Sequence, residues 1–395
     1  MSAARRVAIV GAGLGGLATA IALRRQGFEA KVYEQASELA EFGAGINISP
    51  NSVKFFQAVG LADKLHKVSS EPEGLTWRDW NSGEIHNCLP FGDFEKRYGN
   101  KYYVVHRSDL HRLLSEAVPV SDINVGKRCA AVETRNGTAG LSFTDGSSTE
   151  ADVVIGADGI RSAVRAALFG GEGPHYAGTM CWRALAPSSA LPKDYHDRYV
   201  NQWSGEGGFV VSYYIRQGEF INFVCVRQQP GWTEQSWSVP STVEEMLAAF
   251  PKAGDKLRRM MGAATSVSKW GQFTGEHAPQ WTKDRATLLG DSAHAMLATF
   301  GQGANMAFED AYVLAQWLKS SSDDVPTALA GYEGARKPRA TMVQQLSRTE
   351  VRFKKQHTVM ERLHREAVFL TRHGFTTGGV YKWIFGYDPT VQWRG

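Results

Sequence analysis

Three stretches of this chain repeat one pattern of hydrophobic and polar positions: a short apolar run, a glycine-bearing turn, and a segment whose apolar residues recur every three or four positions. In the first, residues 5 to 34, an apolar run leads into Gly11-x-Gly13-x-x-Gly16. A helix with its apolar face on Leu17, Ala20 and Ile21 follows, then a second strand ending in Glu34. In the second, residues 151 to 170, the run Val153 to Ile155 ends at Gly156-Ala157-Asp158-Gly159 and gives way to a helix carrying Arg161 and Arg165. In the third, residues 285 to 318, Thr287 to Leu289 end in Gly290-Asp291, and Gly301-Gln302-Gly303 opens a helix with apolar positions 304, 307, 308, 311, 314, 315 and 318. Short apolar runs closed by glycine predict buried strands, and the three-four spacing predicts amphipathic helices. Together they predict an α/β fold.

The intervening pattern is different. Gly43 and Gly45 flank a turn, with Asn47 in the loop before a helix that starts at Pro50-Asn51 and ends near Gly60. Residues 75 to 103 are aromatic and polar and read as strands with one long loop. Arg107 and Ser108 precede a helix that Ser108 is expected to cap, with Asp109 in its first turn. Asn124 to Gly146 reads as a hairpin. From 179 to 276 polar and aromatic residues alternate, as in an antiparallel sheet with one wet face, and 241 to 262 reads as helix. From 326 onward a long mixed-charge helix leads to an aromatic C-terminus. Its cations Arg348, Arg352, Lys354 and Lys355 read as a solvated face. These shifts predict a discontinuous nucleotide domain (1–74, 101–178, 277–345), a sheet domain (75–100, 179–276) and a helical segment (346–395).

Composition narrows the class. At 395 residues with a net charge of +4, the chain can bury a large core and has no polyanion-binding excess, so no nucleic-acid partner is expected. No apolar run reaches 18 residues and no leader-like apolar stretch precedes the first strand, so a cytoplasmic location without membrane association is expected. Cys88, Cys129, Cys181 and Cys225 have neither CxxC nor metal spacing and read as reduced, with no metal site.

The first stretch carries the dinucleotide fingerprint in its required context. Gly11 permits the tight turn, Gly13 lets a pyrophosphate reach the backbone, Gly16 lets helix and strand pack, and Glu34 accepts from an adenosine ribose. That fingerprint leaves FAD and NAD both open, since they share the ADP half. Asp291 past its strand end could grip sugar-like hydroxyls or merely cap the next helix. The loop before residue 304 could aim N–H groups and a positive helix end at an electron-rich ligand. Arg107 could meet a phosphate or be a surface cation.

With GAGLGG at 11–16, Glu34, GAGINISPN at 43–51, HRSDLH at 106–111, GADGIRSAVR at 156–165, LLGDSAH at 288–294 and GQGAN at 301–305, the sequence resembles the single-component flavoprotein aromatic hydroxylases. The likeness runs from Val7 to about Arg339, and is strongest to the salicylate, 3-hydroxybenzoate and 6-hydroxynicotinate hydroxylases. It implies a Rossmann-like FAD-binding domain with an inserted mixed or antiparallel substrate sheet and a C-terminal helical segment. It also implies bound FAD with NADH or NADPH as transient reductant, and hydroxylation of a small phenolic or heteroaromatic acid by O2 through a flavin C4a-hydroperoxide, in a monomer or homodimer. Its cofactor residues would be Gly11, Gly13, Leu14, Gly16, Glu34, Gln35, Arg107, Asp158, Asp291, Gly301, Gly303, Ala304 and Asn305. Tyr213 and Asn47 would act at the substrate's proton, with Arg183 and Ala298 lining the pocket. Tyr213 could equally be a plain sheet aromatic, and Arg183 or Arg216 could meet a carboxylate or form a structural ion pair.

The sequence also departs from that family. Many relatives carry proline where this chain has Ala295 and Ala298, and those acting on hydroxybenzoate or hydroxynicotinate place a pocket histidine at one of the positions that here hold Asn47 and Phe209, so no histidine base is evident. The glycines at 43, 45, 301 and 303 would leave room for the flavin ring to shift when substrate binds. A competing class, a non-hydroxylating flavoprotein oxidase or dehydrogenase or a redox-sensing flavin-binding protein, shares the nucleotide motifs. Oxygen incorporated into product separates the two.

Overall fold

The computed structural model describes residues 5–39, 44–135, 137–171, 173–232, 234, 239–275, 278–321, 323–353 and 379–394. Gly43, Lys354 and Lys355 and the side chain of Arg352 lie outside the described residues. The apolar runs form a six-stranded sheet in the order Thr282–Lys283, Ala286–Leu288, Val153–Gly156, Arg6–Val10, Glu29–Tyr33, Ile123–Asn124. It is parallel except at its first pair. Val7 to Val10 and Val153 to Gly156 are buried throughout, which is why these strands read as continuous rather than alternating apolar runs. Each fully buried valine, leucine or isoleucine contributes about 1.5–3 kcal/mol. Two helices, Leu14–Arg25 and Gly303–Ser320, pack on each other over this sheet, so the first and third motifs end side by side.

A second sheet of eight strands runs Val239–Pro240, Ser266–Thr274, His175–Pro187, Phe220–Gln228, Gly208–Ile215, Tyr199–Gly205, Gly74–Asp79, Ile85–Pro90. All its pairs are antiparallel except Tyr199–Gly205 with Gly74–Asp79, because that strand arrives from a distant part of the chain rather than through a hairpin. One face is closed by helices Val243–Ala249 and Asp255–Gly262 around Trp182, Phe223 and Phe250.

Several expectations change in detail. The helix expected over 241–262 is two, because Pro251 forces Phe250 out of the helical region (φ −123°, ψ 58°). Residues 75 to 103 hold a short helix, Phe94–Tyr98, instead of one long loop. The helix after Tyr103–His106 starts at Arg107 with His106 as N-cap. Ser108 therefore does not cap it, and shares a hydrogen bond with His106 Nδ1 instead (2.6 Å). Helix Val325–Phe353 runs unbroken through the boundary expected at 346. Arg348 does not sit on a solvated face: its guanidinium donates to Thr274 Oγ1 (3.1 Å) and to the Gly275 carbonyl. Helix Gly379–Phe385 closes an aromatic cluster with Phe91, Phe94 and Leu346.

Candidate cofactor and substrate site

The first turn is built for close approach. Gly11 holds φ +104°, and a Cβ there would lie 2.5 Å from the Ala157 carbonyl oxygen. A Cβ on Gly16 would collide with the Gly11 carbonyl. At Gly13, by contrast, a Cβ would meet nothing within 4 Å, so space opens where a pyrophosphate would lie against the helix start. The Leu14 side chain is buried, leaving only its backbone to face that space. Glu34 accepts from the N–H groups of Ala12 (2.8 Å) and Ala36 (2.9 Å), with exposed Gln35 beside it. Buried His111 donates to the Ala12 carbonyl (2.8 Å) and fixes the turn from beneath. Asp158 accepts from Ser162 Oγ (2.5 Å) and Val164 N (3.1 Å), so its carboxylate shapes its own turn, whose Ala157 packs under Gly11.

Asp291 sits at the floor of a recess: its surface is accessible, yet the surrounding protein desolvates it and raises its carboxyl above the ordinary range, with His294 and Arg107 opposing. Arg107, from the HRSDLH stretch, and Asp291, from the third motif, thus share one electrostatic neighbourhood. Behind Asp291 lies a fully buried ionic cluster. Asp310 accepts from His294 Nε2 (2.6 Å), Arg336 Nε (2.7 Å) and Gly290 N (3.2 Å). Glu309 accepts from Asn51 Nδ2 (2.6 Å) and both sides of Arg339 (2.8 and 2.9 Å), with Arg336 at 2.7 Å.

The loop before Gly303–Ser320 is stapled to strand Gly45–Ile48. Asn47 Nδ2 donates to the Gly301 carbonyl (3.0 Å), and a Cβ at Gly301, where φ is +63°, would collide with the Asn47 side chain. Asn305 donates to the carbonyls of Asn47 (3.2 Å) and Gly301 (2.8 Å) and accepts from Ser49 N (3.0 Å) and Ser52 Oγ. Those four bonds use all that an amide side chain offers. Asn305 is therefore a clamp, and only backbone remains there for a ligand. Gly45 would place a Cβ 2.5 Å from Tyr213 Cε2. At Gly45 and Gly301 glycine thus permits tight packing and does not leave the slack expected for ring movement. Gly303 is the roomier position, with Met296 at 3.7 Å and Asp291 at 3.9 Å from a Cβ. Ala304 follows, half-buried in the first turn of the helix.

The open face of the eight-stranded sheet meets this loop. Directly paired residues share a face, so the register sets Trp77, Gln202, Val211, Val224, Arg183 and Ser268 in one row. Tyr213 and Asn222 pair in the neighbouring row, and Asn222 Oδ1 accepts from Gly45 N (2.6 Å). Arg183 lies 4.4 Å over the Trp270 ring. Burial pushes the Tyr213 phenol well above its ordinary value, with Arg183 partly offsetting, and pushes Tyr102 up too, with Tyr213 adding to it. Phe209 is buried on the same face, two positions beyond Val211. Arg216 is not available here: it makes a two-pronged ion pair with Asp109 (2.8 and 3.1 Å). Ala298 is exposed in the turn ahead of Phe300.

The model of the FAD-binding domain family matches residues 4–347. The chain belongs to that family. It is 39% identical over 344 residues to the 3-amino-4-hydroxybenzoate 2-monooxygenase of Streptomyces platensis, covering 87% of each chain. It is 36% identical to the 6-hydroxynicotinate 3-monooxygenase of Pseudomonas fluorescens, covering 88% of this chain and 91% of that one. A solved salicylate hydroxylase–substrate complex superposes with a TM-score of 0.84 at 26% identity, covering 100% of this chain and 98% of that one. This family member is an FAD-dependent aromatic monooxygenase that uses NAD(P)H as reductant. No described helix is long and apolar enough to cross a membrane.

Some of the flavoprotein's site architecture escapes a motif reading. Glu309, Asp310, Arg336 and Arg339 form its buried ionic cluster, and the one sequence signal was two adjacent acids, without nearby cations, beside an apolar helical face. His111, Gln302 and Ser49 lie inside or next to quoted motifs, yet their partners are remote in sequence. Tyr102 had no signal beyond being aromatic.

Proposed function

We propose that this flavoprotein hydroxylates a small aromatic acid bearing a ring hydroxyl or amino group, holding the carboxylate at Arg183 and the ring donor near Tyr213. The observation that supports this most is the sheet register, which puts a ring-stacked arginine and a desolvated tyrosine on one face beside Gly45. The relatives' own substrates, 3-amino-4-hydroxybenzoate and 6-hydroxynicotinate, have the same two features, a carboxylate and an activating ring substituent. When bound, FAD would supply the redox chemistry that couples oxidation of NAD(P)H to insertion of one atom of O2 into the ring.

In this reading the following residues would hold FAD. Gly11, Gly13, Leu14 and Gly16 offer backbone to the pyrophosphate, Glu34 and Gln35 meet the adenosine ribose, Arg107 a phosphate and Asp291 the ribitol hydroxyls. Gly301, Gly303 and Ala304 present N–H groups and a positive helix end to the isoalloxazine edge. Asp158 and Asn305 act indirectly, as turn and loop clamps. Asn47 shapes the pocket through Gly301. Tyr213 keeps its proton and passes or shares a hydrogen bond with the ring hydroxyl, since no histidine stands at 47 or 209. Residues 1–74, 101–178 and 277–345 are the cofactor domain, and 75–100 with 179–276 the substrate domain. We place the enzyme in the cytoplasm as a monomer or homodimer.

The test is a panel of hydroxy- and aminobenzoates and hydroxynicotinates, set against the same rings without carboxylate, under 18O2. A hydroxylated acid carrying one labelled oxygen is expected. Arg183→Met should raise its KM about ten- to hundredfold, for loss of a charged hydrogen bond of roughly 1.5–3 kcal/mol, and leave carboxylate-free phenols unaffected. Equal losses for both would remove Arg183 from the carboxylate, and absence of labelled product would remove the substrate class.

A further inference from the structure

Residues 295–302 connect the acid proposed for the ribitol to the glycines proposed for the isoalloxazine edge, and they contain neither helix, strand nor proline. The ends are pinned by groups already described: His294 by Asp310, and the Gly301 carbonyl by Asn47 and Asn305. The middle is held from helix Val325–Phe353. Gln344 Nε2 donates to the Ala295 carbonyl (2.5 Å), Leu297 N donates to Ser347 Oγ (3.3 Å), and Thr299 Oγ1 donates to the Ser347 carbonyl (2.9 Å). Ser347 Oγ in turn donates to the Gln344 carbonyl (2.7 Å).

Gln344 and Ser347 are fully buried beside Val343 and Leu346, and three residues apart they share a helix face. Polar side chains in such a place are costly unless bonded. Among the described residues, Gln344 is bonded on its amide side only, its buried Oε1 having no partner there, and that bond is to the loop.

We propose that Gln344 and Ser347 are positioning residues for the oxygenation reaction: they set the 295–299 loop and with it the spacing between Asp291 and Gly301. This rests on the cofactor placement given above. A loop that drifts would misplace substrate against the site where oxygen is delivered, so reducing equivalents would leave as hydrogen peroxide.

The test uses the FAD-loaded full chain. Ser347→Ala removes the acceptor of the Leu297 N–H, and Gln344→Met removes the other side-chain bond at similar volume. Each should retain FAD and raise amide hydrogen exchange at 296–300 at least tenfold. Each should also at least double the share of consumed NAD(P)H that appears as hydrogen peroxide. Ala295→Pro should restore both readouts in either background, since Ala295 already has φ −48°, a proline-compatible value, so the ring stiffens the loop whether or not the Gln344 bond is present. Unchanged exchange in both single variants would refute the clamp. Raised exchange with unchanged coupling would refute its link to oxygenation. Exchange is read without substrate, so a parent enzyme that hydroxylates none of the panel would sink the substrate assignment while the clamp is still decided.

Discussion

Tyr213 shows how much a single residue's meaning depends on its surroundings. In the sequence it is one of several aromatics in an alternating strand; in the structure its hydroxyl edge lies against Gly45 and its phenol is held well above the ordinary range by burial, with Arg183 opposing. A raised phenol pKa means that the neutral form persists as pH rises through the working range, about pH 6 to 9. In the proposed mechanism Tyr213 would therefore relay a hydrogen bond and would not titrate as a base. Tyr213→Phe should lower kcat at least tenfold, about 1.4 kcal/mol, move KM much less, and leave the shape of the pH profile over that range unchanged. Loss of an ionisation from the profile would assign Tyr213 a different role. The choice between Arg183 and Arg216 was likewise illegible, because the partner that occupies Arg216 is Asp109, on another element.

Among the elements, helix Gly303–Ser320 had its apolar face predicted position by position, and those positions are buried or half-buried. Periodicity said nothing of Glu309 and Asp310, which are also fully buried and tie this helix to Val325–Phe353 through Arg336 and Arg339. Asp310→Asn or Arg336→Met, each leaving charge without its partner, should cost about 3–5 kcal/mol in urea unfolding, and the double variant less than the sum. Burial pushes the Asp310 carboxyl up, but His294 and Arg336 outweigh it and hold it below its ordinary value. A depressed carboxyl contributes stability that is complete above its unfolded pKa, about 3.9, and is lost as pH falls through the lower folded value. Stability of the parent should accordingly fall more steeply than that of Asp310→Asn below about pH 4. Parallel acid limbs would mean that the pair is not ionised.

At the scale of the whole molecule, strand Gly45–Ile48 joins the two sheets' sites, for Gly45 lies against Tyr213 while Asn47 bonds the Gly301 carbonyl. The described residues contain one dinucleotide turn; with FAD held there as proposed, NAD(P)H would have only a transient place. Flavin reduction should be slow with NAD(P)H alone and at least tenfold faster, about 1.4 kcal/mol off the barrier, once a hydroxylatable aromatic acid is added. Equal stopped-flow rates with and without that acid would refute the gating. With the cofactor placed as proposed, the packed glycines at 45 and 301 would leave movement that accompanies gating to the side of Gly303.

The sequence by itself determined the features written in local backbone chemistry. Glycine turns, apolar runs and three-four spacing specify strand, turn and helix from neighbours a few residues apart, so the nucleotide fold and the second sheet were legible, while FAD over NAD came from the likeness to the flavoprotein hydroxylases. Only the tertiary structure decided which polar groups meet. Asn47 with Gly301, Arg216 with Asp109, and Gln344 and Ser347 with the 295–299 loop are partners from separate elements. A buried donor needs an acceptor from whichever element packs against it, and that identity is set by the packing of the whole chain and leaves no periodic trace along it.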